Sequence, residues 1–230
     1  MIKRQFHKIQ SKVEHNRFQL LLLATVIVLV LPSFTGSGLL SDILFMCSMT
    51  FLFLQSMTAA DIPKSRRNLI RIIVLVILSL LWLKPAGYDR VYLNIASLIL
   101  VSMFFMWVII FLFKFVRKSD AVNRNVLITS INIYLLSGIV AASLAYLLYM
   151  IIPNSYNIPD YIAEPEYVHF VYFSFITMAT VGYGDITPRT PETQTLAYLV
   201  AISGQLYVAI IIAFLVGKFL VHSVDKESGK

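Results

Sequence analysis

The sequence is poor in charge. Only 13% of its 230 residues are Asp, Glu, Lys or Arg, while 58% are hydrophobic and the mean hydropathy is +0.79. A water-soluble domain carries about 25% charged residues, so much of this surface faces lipid. Cysteine is almost absent. Cys47 is the one copy and lies in an apolar run, which excludes a disulfide framework and leaves it as a small hydrophobe. The histidines His7, His15, His169 and His222 are scattered. No metal-ligand spacing, nucleophile–base arrangement or cluster of membrane-embedded acids is evident, so the expectation is a non-enzyme without a cofactor. The N-terminus is basic, but no small-residue cleavage site interrupts the run that follows, so no cleavable signal peptide is expected. There is no internal repeat and no low-complexity tract.

What the chain has is apolar length. A hydrocarbon core of about 30 Å takes roughly 20 apolar residues in a helix. Six runs are read as spans: residues 18–34, 39–60, 69–83, 91–116, 126–152 and 196–221. Between the fifth and sixth, residues 167–179 form a shorter apolar stretch that ends near glycines. It is too short to cross and is read as a re-entrant half-helix, whose non-helical end must be buried in protein or line a watery path. The expected fold class is an all-α membrane protein of six transmembrane helices plus a re-entrant pore helix and filter loop.

The net charge is +7. Basic residues flank the apolar runs, which favours a membrane surface over nucleic acid. All but Lys84, Arg90 and Arg189 fall on one face with both chain ends, and the positive-inside rule places that face in the cytoplasm. Asp42, Asp89, Asp160, Glu164, Glu166, Asp185 and Glu192 fall outside. Asp160, Glu164 and Glu166, near the re-entrant segment, are either solvated loop residues or a ring that concentrates cations at a pore mouth. Residues 1–17 space Ile2, Phe6, Ile9 and Val13 as the apolar face of an amphipathic helix on the inner membrane surface; a disordered basic tail is the alternative.

The segment Thr180-Val181-Gly182-Tyr183-Gly184-Asp185 carries the chemistry. A dehydrated cation needs oxygens to replace its water shell. Backbone carbonyls supply them if successive residues aim C=O at one axis, which requires left-handed angles at alternate positions. Glycine adopts those angles at no steric cost, and Gly182 and Gly184 alternate with Val181 and Tyr183 as required.

Residues 180–185 are identical to the potassium channel signature, and residues 167–221 resemble the pore module of that superfamily, in particular short prokaryotic six-span, single-pore members. The resemblance implies potassium as the permeant ion, bound at the carbonyls of Thr180, Val181, Gly182 and Tyr183 with the Thr180 hydroxyl. It implies Gly184 and Asp185 completing the filter, and the Val181 and Tyr183 side chains packed outward against the pore helix. One chain carries one filter, so a homotetramer is expected. Tyr172, Phe173, Ile176 and Thr177 fall on the pore helix as filter support. Many members have a tryptophan pair where this chain has Tyr172 and Phe173, so a polar contact around Tyr183 is expected to be lost. Ile176 replaces a glutamate that partners the filter aspartate in some prokaryotic members, and Ala179 replaces a frequent threonine. Gly204 matches the inner-helix hinge glycine by spacing, and close helix packing accounts for it equally. Gln205 is polar at lipid depth and faces the pore or a neighbour.

Six spans and this filter resemble the voltage-gated architecture, yet residues 91–113 contain no Lys or Arg. Lys114, Arg117 and Lys118 come only at the inner end, where they can snorkel. Steep voltage gating is therefore not expected. Lys114, Arg117, Lys118 and Arg124 are candidates for anionic lipid headgroups, and His169 is a candidate for sensing external pH. The expected organisation is an N-terminal amphipathic segment at 1–17, a four-helix sensor-like domain at 18–118, a pore domain at 119–222 and a short cytoplasmic tail at 223–230. The expected location is a bacterial or archaeal plasma membrane.

Overall fold

The computed structural model describes residues 16–34, 38–60, 62, 64–83, 90–119, 122–162 and 165–228, and the side chains among these except at 32, 33, 64 and 218–228. The N-terminal segment before Asn16, Glu164 and Asp89 lie outside the described residues.

Among the described residues, seven α-helices follow in order: α1 (Arg17–Val30), α2 (Leu39–Ala59), α3 (Lys64–Leu83), α4 (Val91–Lys118), α5 (Arg124–Ile151), α6 (Tyr167–Met178) and α7 (Pro191–Ser228). A 3₁₀ turn, Leu31–Phe34, prolongs α1. Two short strands, β1 (Tyr156–Asn157) and β2 (Thr187–Pro188), pair antiparallel. Local chemistry marks the helix ends. Gly38, at φ 136°, precedes α2, and Asp42 sits in its first turn, where the helix dipole favours an anion. Asn123 caps α5 by accepting the Val126 N–H at 3.0 Å. Pro191 opens α7 with Glu192 beside it, and Thr193 Oγ1 accepts the Thr190 N–H at 3.2 Å.

Among the described residues, four helices are long and apolar enough to cross a membrane: α2, α4, α5 and the Pro191–Gly217 part of α7. The other two expected spans form as helices but fall short by those measures. At 1.5 Å per residue α1 extends about 21 Å before its 3₁₀ turn. The first two turns of α3 carry Lys64, Arg66, Arg67 and Arg71.

The short connection after α4 makes α4 and α5 antiparallel neighbours within one chain, and theirs is the most extensive helix contact. Helix α1 packs on α2 and on α5. Phe53 of α2 meets Phe104 and Phe105 of α4 at ring separations of 4.8 and 4.9 Å. Asn132 of α5 donates from Nδ2 to the Phe18 carbonyl of α1 at 2.9 Å. Buried hydroxyls return to their own helices: Ser102 donates to the Leu98 carbonyl, Ser130 to Val126, and Thr25 to Leu21. A hydroxyl in a waterless layer has no better acceptor. A cavity of about 140 Å³ is lined by residues of α2, α3, α4, α5 and the start of α6, and Phe45 crosses beside it to meet the Tyr167 ring at 5.8 Å.

Candidate pore and selectivity filter

Helix α6 is held at both ends and along one side. At its start the Glu166 N–H donates to His169 Nδ1 at 3.0 Å, so this histidine nitrogen is an acceptor. Tyr167 donates from its hydroxyl to the Ile139 carbonyl of α5 at 3.3 Å and shares a 3.1 Å hydrogen bond with Ser143. Along its side Phe175 lies over Gly138 of α5, where any Cβ would collide with the ring. Phe170 and Phe173 are buried with Tyr156, Ala145 and Ile186 in a small separate core.

The end of α6 makes the turn into the filter. Thr180 N–H donates to the Thr177 carbonyl at 3.0 Å and Val181 N–H to the Ile176 carbonyl at 2.9 Å. This is the Schellman pattern of helix termination, which calls for a left-handed residue between the last helical turn and the exit. Thr180 supplies it, at φ 58°. Glycine is usual there, and a left-handed β-branched residue costs about 1–2 kcal/mol. The left-handed angles then recur at Gly182, φ 53°, and Gly184, φ 81°, and not at Val181 or Tyr183. The alternation expected from the two glycines thus begins one step earlier, at a threonine that gave no sign of it. A Cβ at Gly182 or Gly184 would meet nothing within 4 Å in the single chain, so within it glycine is needed at both for conformation and not for space.

Beyond the filter, Asp185 is clamped from two sides. Tyr172 donates from its hydroxyl to Oδ2 at 2.7 Å, and the Ile186 N–H donates to Oδ1 at 3.0 Å. The Tyr172 hydrogen bond is the main reason the Asp185 carboxyl sits below the usual carboxylate range. Ile176 makes no side-chain bond to this aspartate, and its backbone carbonyl holds Val181 and Gly182 instead. The β1–β2 ladder ties the outer loop to the chain leaving the filter, aided by Ser155, whose carbonyl accepts from the Arg189 N–H at 2.8 Å and from Thr193 Oγ1 at 2.9 Å.

Helix α7 packs against α6. Gly204 is buried, and a Cβ there would collide with the Met178 carbonyl and side chain. Close approach therefore accounts for this glycine. The next residue, Gln205, reaches Thr180: its Nε2 donates to Oγ1 at 3.4 Å. Tyr207 donates to the Ser130 carbonyl of α5 at 2.7 Å.

Val181 and Tyr183 are 52% and 73% exposed in the single chain. One expectation differs from the geometry. Phe173 belongs to the Tyr156 core, with rings 5.4 Å apart and edge-on, and not to a belt around Tyr183. Asp160 and Glu166 are exposed on the loop before α6, while Lys114, Arg117, Lys118 and Arg124 are exposed at the opposite end, where α4 meets α5. The contributions of Gly138, Met178 and Ser155 carried no signal in the sequence, because each depends on what lies across from it.

Residues 128–221 match the family model described as an ion channel, which takes in most of α5, all of α6, the filter loop and α7 as far as Val221. No curated protein and no solved structure matched the chain. With the apolar helices, the match supports a multi-pass membrane protein related to ion channels.

Proposed function

From this similarity to ion channels, we propose that the chain is one subunit of a potassium-selective channel, with residues 180–185 as its filter. The observation that carries the reading is the strict alternation of left-handed backbone at Thr180, Gly182 and Gly184. Such alternation turns successive carbonyls toward one side, and a ring of carbonyls replaces the hydration shell of K⁺. The ion-binding oxygens are the carbonyls of Thr180, Val181, Gly182 and Tyr183 and the Thr180 hydroxyl.

One chain surrounds an axis on one side only, so the working unit is a homotetramer. In support, Val181, Tyr183 and a long apolar side of α7 that includes Leu199, Ile202, Leu206 and Ile210 are exposed in the single subunit. Both termini lie in the cytoplasm of a plasma membrane, on the charge asymmetry of the loops. Six crossings follow if α1 and α3 complete the set. Gating is not steeply voltage-dependent, because α4 carries its cations only at its inner end. The exposed Lys114, Arg117, Lys118 and Arg124 meet anionic headgroups there.

Purified protein in liposomes tests the reading. K⁺ efflux should greatly exceed Na⁺ efflux, and Gly182→Ala should remove the K⁺ flux. Equal flux of the two ions would refute it.

A further inference from the structure

We propose that Gln205 sets the strength of the innermost cation site by donating its amide hydrogen to the Thr180 hydroxyl. The inference rests on the filter reading above, in which that hydroxyl lines the site.

Helix α7 puts Gln205 in place. Gly204 lets the helix backbone come against the Met178 carbonyl, and the adjoining residue is thereby held at the base of the filter. Gln205 sits in a run of exposed apolar neighbours that includes Ile202 and Leu206. A polar amide at that depth is costly without a partner, and Thr180 Oγ1, at 3.4 Å, is its partner among the described residues.

A hydroxyl oxygen offers two lone pairs and one hydrogen. An entering cation requires lone-pair density from Oγ1. The Gln205 N–H draws on the same oxygen and restricts how the hydroxyl turns, so donor and ion compete. Conduction requires a site strong enough to be entered and weak enough to be left, and Gln205 acts on the weakening side. The bond is long, so the effect is a few-fold and does not abolish binding. Selectivity between K⁺ and Na⁺ rests on the carbonyls further out and is not altered.

Inner-side block by Ba²⁺, a divalent ion of nearly the size of K⁺, reads the strength of this site in reconstituted channels. Gln205→Leu should tighten the block about three- to tenfold with the K⁺ over Na⁺ preference retained. Gln205→Met, which keeps the length and removes the donor, should do the same and serves if the leucine variant fails to assemble. In a Thr180→Val background, which lacks the hydroxyl, Gln205→Leu should add nothing. Unchanged or weakened block in the Leu and Met variants, or an equal shift in the Thr180→Val background, would overturn the proposal. A wild-type protein without K⁺ preference would instead remove the filter reading, and this is measured before any variant.

Discussion

Tyr172 donates its phenolic hydrogen to Asp185 Oδ2 across 2.7 Å, joining the end of the proposed filter to the middle of α6. This bond adds a polar tie to the apolar one made next to it, where Ile186 shares a buried core with Phe173. The apolar Ile176 side chain could offer Asp185 no such bond.

Removing that hydroxyl should loosen the outer filter while leaving the ring in place. Tyr172→Phe is expected to speed the decline of K⁺ current during sustained conduction several-fold, with the initial K⁺ preference intact. Current records from wild-type and variant channels in planar bilayers check this.

The same bond has a pH signature. It lowers the Asp185 pKa, so the stabilisation it gives is present above the ordinary carboxylate range and is lost as external pH falls through the depressed value. Without the Tyr172 donor the native pKa moves back toward the unfolded value, so less stability is lost on acidification. Thermal midpoints measured against pH should therefore lie lower in Tyr172→Phe than in wild type above the carboxylate range, fall less as pH drops, and converge with wild type at acid pH.

Gly204 and Gly217 lie on one helix and should answer differently to alanine. At Gly204 the methyl meets the Met178 carbonyl, and overpacking of this kind costs about 1–3 kcal/mol. At Gly217 a Cβ has open space, and replacing a helical glycine gains about 1 kcal/mol. Thermal unfolding in detergent should show Gly204→Ala lowered and Gly217→Ala unchanged or raised. A Gly204→Ala protein of full stability with altered opening would favour a hinge instead.

Gly138 and Phe175 form a second close pair, between α5 and α6. Gly138→Ala should destabilise, and Phe175→Leu should relieve it, because the leucine side chain vacates the space the ring fills. Equal losses in the single and the double variant would show that the contact is not the cause.

Much of this was legible in the sequence, and for identifiable reasons. Apolar run lengths located the helices closely: 126–152 was expected where α5 spans Arg124–Ile151, and 167–179 where α6 spans Tyr167–Met178. The glycines at 182 and 184 announced left-handed backbone because few other residues adopt it freely. Thr180 shares that conformation unannounced, since a threonine is held there by the helix-ending hydrogen bonds and not by its own preference. The Tyr172–Asp185 bond was hidden because it is a tertiary contact between residues each ordinary in its own segment. Gly204 was ambiguous from spacing, and only Met178 across from it accounts for it as packing. Val181 and Tyr183 stay more than half exposed in one chain, which sequence alone does not reveal.

The central claim is that residues 180–185 pass K⁺ and reject Na⁺. The most direct measurement is the reversal potential of purified channels in a planar bilayer with K⁺ on one side and Na⁺ on the other. A reversal potential shifted strongly toward the K⁺ equilibrium value, by about 59 mV for each tenfold in permeability ratio, is the predicted result. A value near zero, with current present, would contradict it.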